Sequence, residues 1–340
     1  MHRPSILAPA LRSGDVIGIV SPSWFGGDAF LPRARRGIAM LERLGYRVRI
    51  GEHAFNNAGI VSDTAANRVA DLHAMFADPD VRMVLASIGG DHSCHLLPLI
   101  DWNLIQSNPK IFMGFSDITV LNVSMHVMTG LVTFNGPGLL TDWAEFPEMP
   151  DFSRNQALQA IANPLPMGDL SASSWWTDEF LDWSTGADTS RPRVRTENQG
   201  WRWLRGGQAR GRLVGGCLES LQHLRGTPYW PDFTGAILFL EISEVRPSPE
   251  DVDGMLMDYE NMGVLSGIAG MVFARPYGFS PEDTEKLWYV VQDRTGAFGF
   301  PVLANTDTGH TTPLQTIPVG VVAELDSAGN RFAVTEPAVR

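Results

Sequence analysis

A serine, a glutamate and a histidine each stand where a side chain could take part in a reaction. Ser116 lies in the hexapeptide GFSDIT (114–119), between an apolar run and a helix-like run. A strand that ends in a tight turn before a helix presents one side chain above the sheet, with the first helical N–H groups directed toward it. Ser116 is therefore a candidate nucleophile. The alternative is that Ser116 or Asp117 only caps the helix.

A serine hydroxyl needs a base within hydrogen-bond reach, and that base needs an orienting group. His310 lies in a polar loop beside a glycine, which predicts an exposed, positioned histidine; a surface histidine without a role is the alternative. Glu241 closes the apolar run 236–240, where burial of a carboxylate is costly unless it has a partner. The alternative is a solvated strand end, with Glu244 close by as a second carboxylate.

The chain order nucleophile, acid, base is also that of the α/β-hydrolases. Their serine lies between two glycines, however, and the stretch around Ser116 lacks the second one. This difference argues against an α/β-hydrolase.

The first 140 residues predict alternating strands and helices. Strand-like runs occupy residues 16–20, 46–50, 81–88, 111–115 and 131–135, and helix-like runs occupy 33–44 and 64–76. This alternation predicts a parallel sheet covered by helices, with a ligand crevice at the carboxyl ends of the strands. Gly89, Gly90 and Ser116 fall at such ends.

The later part of the chain changes character twice. Residues 141–205 contain six of the ten tryptophans, and five of these, Trp175, Trp176, Trp183, Trp201 and Trp203, lie within 175–203. Such a segment is either a linker packed on a domain or a loop that folds over a ligand. Beyond residue 206 the sequence predicts strands at 212–215, 236–242, 270–274 and 318–325, with helices at 249–262 and 281–295.

Composition restricts the class of protein. A length of 340 residues allows two domains, and a net charge of −12 argues against a nucleic-acid partner. No apolar run is long enough to span a membrane, and no signal-peptide pattern is found at the N-terminus. Two cysteines are too few for a disulfide framework, so we expect a cytoplasmic protein.

Several motifs together resemble the serine LD-carboxypeptidases, and within that family the branch of the microcin C immunity peptidase. The motifs run in the family's order over about 300 residues and comprise GDVIGIVSPS (14–23), SIGG (87–90), GFSDIT (114–119), GG (215–216), GTPY (226–229), ILFLE (237–241) and GH (309–310). The resemblance implies a catalytic triad of Ser116, Glu241 and His310. It also implies an oxyanion hole formed by the backbone N–H of Asp117 and one N–H of the Gly89–Gly90 turn.

The same resemblance implies an architecture. We expect an N-terminal parallel-sheet α/β sandwich, Rossmann- or flavodoxin-like, and a C-terminal β-rich, barrel-like domain. The expected boundaries are 1–165 for the α/β domain, 166–205 for a tryptophan-rich linker or active-site loop, and 206–340 for the β-rich domain. A homodimer without metal or other cofactor is also implied.

Two positions depart from the family pattern. Ser87 and Ile88 precede the paired glycines, where typical LD-carboxypeptidases have an arginine; the immunity-peptidase branch also lacks it. Cys217 follows Gly215–Gly216 where the family commonly has asparagine, and a thiol cannot make the same hydrogen bonds as an amide.

The substrate expectation rests on the tryptophans. In the immunity-peptidase branch a loop tryptophan stacks on the base of an aminoacyl-nucleotide, which the resemblance places on Trp183 or, as second choice, on Trp176. We therefore expect cleavage of the amide in a peptidyl- or aminoacyl-nucleotide. One alternative is a murein tetrapeptide as substrate, and another is a non-catalytic protein that binds nucleotides or peptides. A third is a metal site at residues 91–95, where Asp91 and His95 could share a helix face.

Overall fold

The computed structural model describes residues 3–340, and its strands and helices follow the predicted alternation. The strands are β1 (Val16–Val20), β2 (Arg47–Ile50), β3 (Val81–Ala86), β4 (Ile111–Gly114), β5 (Thr133–Asn135), β6 (Gly168–Asp169), β7 (Trp175–Trp176), β8 (Thr196–Glu197), β9 (Arg202–Arg205), β10 (Gln208–Cys217), β11 (Ile237–Glu241), β12 (Gly270–Ala274), β13 (Val302–Thr306), β14 (Ile317–Val319), β15 (Val322–Asp326) and β16 (Arg331–Val334). The helices are α1 (Gly26–Ala29), α2 (Leu31–Arg43), α3 (Ala65–Ala77), α4 (Trp102–Ser107), α5 (Thr119–Thr129), α6 (Asp151–Ala162), α7 (Leu218–Leu221), α8 (Pro249–Asn261), α9 (Val264–Gly267) and α10 (Pro281–Thr295).

The first sheet has six strands in the order β2-β1-β3-β4-β5-β14. Its first five strands are parallel and follow the flavodoxin-like order, in which ligands bind beyond the carboxyl ends of the strands. The sixth strand, β14, comes from the C-terminal part of the chain and pairs antiparallel with β5. The predicted parallel-sheet α/β architecture of the N-terminal part is confirmed.

The second sheet has eight strands in the order β6-β16-β15-β10-β11-β12-β13-β9. Four central strands, β10 to β13, are parallel and are flanked by antiparallel strands. The long strand β10 pairs with β15 over its first half and with β11 over its second half, so the sheet curls at this strand. The β-rich, barrel-like character predicted for the C-terminal part is confirmed.

Two details differ from the predicted elements. The single strand predicted at 318–325 is two strands in different sheets, because Gly320 adopts a left-handed φ of 91° between them. Helix α6 lies within the segment 141–205, for which the sequence predicted no regular structure. Its apolar residues do not form one clear stripe, and for that reason periodicity gave no signal.

The core joins both sheets. One cluster of buried apolar side chains includes Phe112 and Leu238, and a second includes Phe134 and Phe239. Each cluster therefore contains side chains from both sheets, which fixes the carboxyl ends of their parallel strands in one arrangement. Within residues 3–340, no helix is both long enough and apolar enough to cross a membrane.

Candidate active site

Ser116 occupies a strained turn directly after β4. It begins a 3₁₀ turn (Ser116–Ile118) that leads into α5, and its φ is 62°. A left-handed conformation costs a residue other than glycine roughly 1–3 kcal/mol, and such residues concentrate at functional sites. The turn leaves the Ser116 side chain partly exposed while Phe115 and Asp117 on either side are buried.

The helix-cap interpretation of this turn does not hold. Neither Ser116 nor Asp117 accepts a capping hydrogen bond from its own helix. The Asp117 carboxylate instead accepts a hydrogen bond of 2.8 Å from the backbone N–H of Ser93, at the start of another 3₁₀ helix (Ser93–Leu99). Asp117 thus ties the segment after β3 to the segment after β4.

Gly89 and Gly90 lie directly beside this turn. A Cβ on Gly89 would lie 2.8 Å from Ser116 Cβ, 2.9 Å from Ser116 Oγ and 3.2 Å from the backbone nitrogen of Asp117. Gly90 has a φ of 135°, and a Cβ there would lie 2.6 Å from Ser23 Oγ. Only glycine fits at these two positions, and at Gly89 the missing side chain leaves the space beside Ser116 open.

Glu241 and His310 meet at the carboxyl end of the second sheet. His310 Nδ1 lies 2.6 Å from Glu241 Oε2, and the glutamate side chain is fully buried. The His310 side chain is only 8% exposed, so the prediction of an exposed histidine is wrong. The ring packs edge-on against Phe115, the residue before Ser116, with 5.0 Å between ring centroids.

Charge and burial act in opposite directions on this pair. Burial lowers the pKa of His310, but the carboxylates of Glu241 and Glu244 outweigh it and hold the pKa well above 6.5. Burial raises the pKa of Glu241, and the neighbouring imidazole opposes this rise. A neutral imidazole at His310 therefore requires a higher pH than an ordinary histidine does.

The second ring nitrogen of His310 faces a different carboxylate. His310 Nε2 lies 3.0 Å from Glu244 Oε2, without the angular geometry of a hydrogen bond. The hydrogen bonds found within residues 3–340 include none between Ser116 Oγ and His310. Ser116 and His310 nevertheless line the same cavity.

Two residues that the sequence did not indicate brace the His310 loop. Arg275 directly follows β12 and Asp307 directly follows β13, and their side chains pair at 2.9 Å with 4% and 0% exposure. Arg275 also donates to Thr311 Oγ1 at 3.2 Å. The signal was present in principle, since both are charged residues at the ends of apolar strands, as Glu241 is.

Cys217 ends β10 and lies away from the cavity. Its backbone N–H donates to Thr119 Oγ1 at 2.9 Å, and its Sγ lies 3.5 Å from Glu219 Oε2. Burial and the neighbouring carboxylates, Glu241 first among them, raise the pKa of this thiol. Cys217 is thus a buried, protonated thiol whose backbone contacts Thr119, the first residue of the helix α5 that follows Ser116.

The cavity that contains Ser116 and His310 has a volume of about 780 Å³. One wall carries the aromatic side chains of Trp24, Phe30, Phe180 and Trp183. The Arg33 guanidinium lies over the Trp183 ring at 4.1 Å from its centroid, and Phe30 meets the same ring edge-on at 5.4 Å. The wall is therefore a fixed aromatic surface in the same cavity as the serine.

Trp176 has a different place. It belongs to the β7–β8 hairpin, does not line the cavity, and lies 5.1 Å from the Arg275 guanidinium. Of the two tryptophans expected at the substrate, the structure brings only Trp183 into the cavity of Ser116.

Residues 91–95 form no metal centre in this structure. Within residues 3–340, no three or more His, Cys, Asp or Glu side chains are grouped so that they could hold a metal ion. His92 and His95 instead face each other as rings, 5.2 Å apart, at the start of the 3₁₀ helix.

Two family models match the chain. Residues 17–136 match the LD-carboxypeptidase N-terminal domain, and residues 210–325 match the LD-carboxypeptidase C-terminal domain. The chain belongs to the LD-carboxypeptidase family. It is a serine peptidase, as the family resemblance predicted.

Relatives of this LD-carboxypeptidase align over nearly its whole length. The microcin C7 self-immunity protein MccF of Escherichia coli is 28% identical over 334 residues, 97% of this chain and 96% of that protein. A Bacillus subtilis protein described as a probable murein peptide carboxypeptidase is 32% identical over 333 residues, 97% of this chain and 94% of that protein.

Solved structures of MccF share the fold of this LD-carboxypeptidase. A variant of MccF in complex with adenosine monophosphate superposes with a TM-score of 0.92 at 27% identity. The superposition covers 98% of this chain and 100% of the MccF chain. MccF in complex with aspartyl sulfamoyl adenosine superposes with a TM-score of 0.90 at 28% identity, over 98% and 100% of the two chains.

Proposed function

We propose that this LD-carboxypeptidase cleaves an amide bond by covalent catalysis, with Ser116 as nucleophile, His310 as general base and Glu241 as its orienting carboxylate. The observation that carries the proposal is the 2.6 Å contact between Glu241 and His310, beside the cavity that Ser116 lines. A buried carboxylate on Nδ1 keeps a proton on that nitrogen, so that Nε2 is the basic atom.

The reaction then runs in two halves. Ser116 Oγ attacks the carbonyl carbon while His310 Nε2 takes the hydroxyl proton, and the imidazolium gives that proton to the leaving nitrogen as the C–N bond breaks. The acyl group stays on Ser116. A water molecule then loses a proton to His310 Nε2, attacks the ester and releases the acid, and the proton returns to Ser116.

The tetrahedral oxygen needs fixed donors. Backbone N–H groups of Asp117 and of the Gly89–Gly90 turn are the proposed donors, because the Cβ that Gly89 lacks would lie within 3.2 Å of Ser116 and of the Asp117 nitrogen. This proximity supports the role of Gly89 and Asp117, and Gly90 is included in the proposal as the other residue of the turn.

We propose a peptidyl- or aminoacyl-nucleotide as substrate, with its base on Trp183. Base stacking on an aromatic side chain is worth roughly 1–3 kcal/mol, and Trp183 lies in the same cavity as Ser116. The solved complexes of MccF with nucleotide-like ligands support this choice. The similarity to a murein peptide carboxypeptidase favours a murein tetrapeptide as the second candidate.

The experiment compares the two substrate classes directly. We expect a higher kcat/KM for an aminoacyl sulfamoyl adenosine than for a murein tetrapeptide, and the loss of both activities in Ser116→Ala with unchanged circular dichroism. Trp183→Ala should reduce the nucleotide preference, and Trp176→Ala is the matched control, since Trp176 lies outside the cavity. A higher kcat/KM for the murein peptide would contradict the substrate, and residual turnover in Ser116→Ala would contradict the nucleophile.

The remaining expectations need their own measurements. The non-catalytic alternative predicts tight binding without turnover in the wild type, which the same assay detects. The homodimer is a proposal that light scattering tests, and the cytoplasmic location is a proposal that cell fractionation tests. Limited proteolysis would test the proposed boundaries near residues 165 and 206.

A further inference from the structure

Glu244 lies against the ring nitrogen of His310 that acts as the base in the proposed reaction. Its Oε2 lies 3.0 Å from His310 Nε2, the atom that must accept the proton of Ser116. The Glu244 side chain is 63% exposed and lines the cavity, whereas Glu241 on the opposite ring nitrogen is fully buried. The two carboxylates on His310 therefore differ in their freedom to move.

Glu244 lies in a short turn whose two ends are anchored by hydrogen bonds and whose middle is exposed. Just before it, Ser243 donates from its backbone nitrogen and its hydroxyl to Glu219 Oε1, at 2.9 and 2.6 Å. Just after it, Val245 is 73% exposed and Arg246 adopts a left-handed φ of 55°. Ser248 then begins α8 with a reciprocal capping box. A short exposed tip between two anchored ends can move its side chains without disturbing the sheet.

The groups around His310 define the charge at this point. Glu241 and Glu244 face the ring, with Cys217 and Glu219 behind Glu241, and Tyr277 and Arg246 beside Glu244. Both groups in contact with the imidazole nitrogens are anionic. An imidazolium is thus favoured in the empty site, and it cannot accept a proton from Ser116.

We propose that Glu244 is a specificity-determining residue that binds a primary ammonium group of the substrate next to the scissile carbonyl, and that this binding removes Glu244 from His310 Nε2. The inference rests on the proposed function and names the feature of the acyl group that the site selects. In an aminoacyl-nucleotide the free α-ammonium lies two bonds from the carbonyl carbon that Ser116 attacks, close to where Glu244 stands.

The exchange also balances charge. Before binding, one imidazolium lies between two carboxylates. After binding, the substrate ammonium pairs with Glu244, His310 loses the Nε2 proton to solvent, and the neutral imidazole keeps its hydrogen bond to Glu241. A peptidyl-nucleotide has an acylated α-nitrogen and therefore no cation at this position, so Glu244 stays on His310 and we expect it to be cleaved more slowly than the aminoacyl-nucleotide.

The experiment uses aspartyl sulfamoyl adenosine and its N-acetyl derivative. We expect the wild type to prefer the free amine in kcat/KM by at least about tenfold, the size expected for a hydrogen bond between two charged groups. Glu244→Gln should lose most of this preference through a higher KM for the free amine. The acid limb of its kcat/KM profile should also move to lower pH than in the wild type, because one carboxylate that raises the pKa of His310 is gone. Asp91→Asn, which removes another carboxylate that lines the cavity, should keep the preference.

Binding to Ser116→Ala by calorimetry separates this inference from the proposed function. The free amine should bind more tightly than the N-acetyl compound and should release a proton, seen as a dependence of the heat on buffer ionisation. Equal binding of the two compounds, or an unchanged preference in Glu244→Gln, would overturn the inference and leave the triad standing. Tight, amine-selective binding without turnover in the wild type would overturn the triad and leave the role of Glu244 standing.

Discussion

Glu241 Oε2 and His310 Nδ1 are 2.6 Å apart although 69 residues separate them in the chain. Glu241 ends β11, and His310 lies in the loop that follows β13, two strands away in the same parallel group. Parallel strands bring their carboxyl ends to one edge of a sheet, and this contact depends on that property.

The first prediction concerns pH. Burial opposes the protonation of His310, but its two carboxylate neighbours raise its pKa well above 6.5, and the base must be neutral to act. Activity should therefore be low at acid pH and rise as the pH passes through the raised pKa. The measurement is kcat/KM against pH, and a lower limb at or below pH 6.5 would contradict the assignment.

Glu241→Gln supplies the comparison for that profile. Without the carboxylate the pKa of His310 falls, so the lower limb should move to lower pH. The plateau should drop by about 10³- to 10⁴-fold, because an amide does not hold the imidazole in the required tautomer as a carboxylate does. An unchanged plateau would exclude Glu241 as the orienting group.

The second prediction concerns the glycine turn. Gly89→Ala should lower kcat by roughly 10²-fold or more, because its Cβ would lie 2.9 Å from Ser116 Oγ and displace the proposed oxyanion donors. Gly254→Ala in α8 is the control, since no atom lies within 4 Å of a Cβ there. That control should keep full activity. Normal kcat in Gly89→Ala would place the oxyanion hole elsewhere.

The third prediction concerns the support under Trp183. Arg33 and Arg36 both pair with Asp188, at 2.7 and 2.5 Å, but only Arg33 also stacks on the Trp183 ring. Arg33→Gln should raise KM for the nucleotide substrate several-fold with a smaller change in kcat. The substitution removes the guanidinium that stacks on one face of the Trp183 indole and holds the ring in place. Arg36→Gln should change KM much less. Equal effects of the two substitutions would mean that Asp188 pairing, not stacking, matters.

The fourth prediction concerns the brace of the His310 loop. Asp307→Asn removes the buried carboxylate that pairs with Arg275, and an unpaired buried charge costs about 3–5 kcal/mol in free energy of unfolding. Urea denaturation measures this loss, and kcat should fall as well because Thr311, beside His310, also contacts Arg275. Glu282→Gln, in an exposed ion pair with Lys286, should leave the denaturation midpoint unchanged. Wild-type stability in Asp307→Asn would show that the brace is dispensable.

The sequence alone was sufficient to predict the alternating strands and helices and most of the residues at which they end. Helix α10 and strand β12 have the predicted bounds, and β3 and β4 end one or two residues earlier than predicted. Hydrophobic periodicity and glycine or proline punctuation are local properties, so they can be read without a fold. The family and the fold class were accessible at this level.

Tertiary structure decided everything that depends on distance between elements. It placed β14 in the first sheet and β15 in the second, buried His310, put Trp183 rather than Trp176 in the cavity, and set Glu244 against His310 Nε2. The pairing of Arg275 with Asp307 is of the same kind. Local propensity carries no information on which strand ends become neighbours, because packing of the two sheets on a common core determines that arrangement.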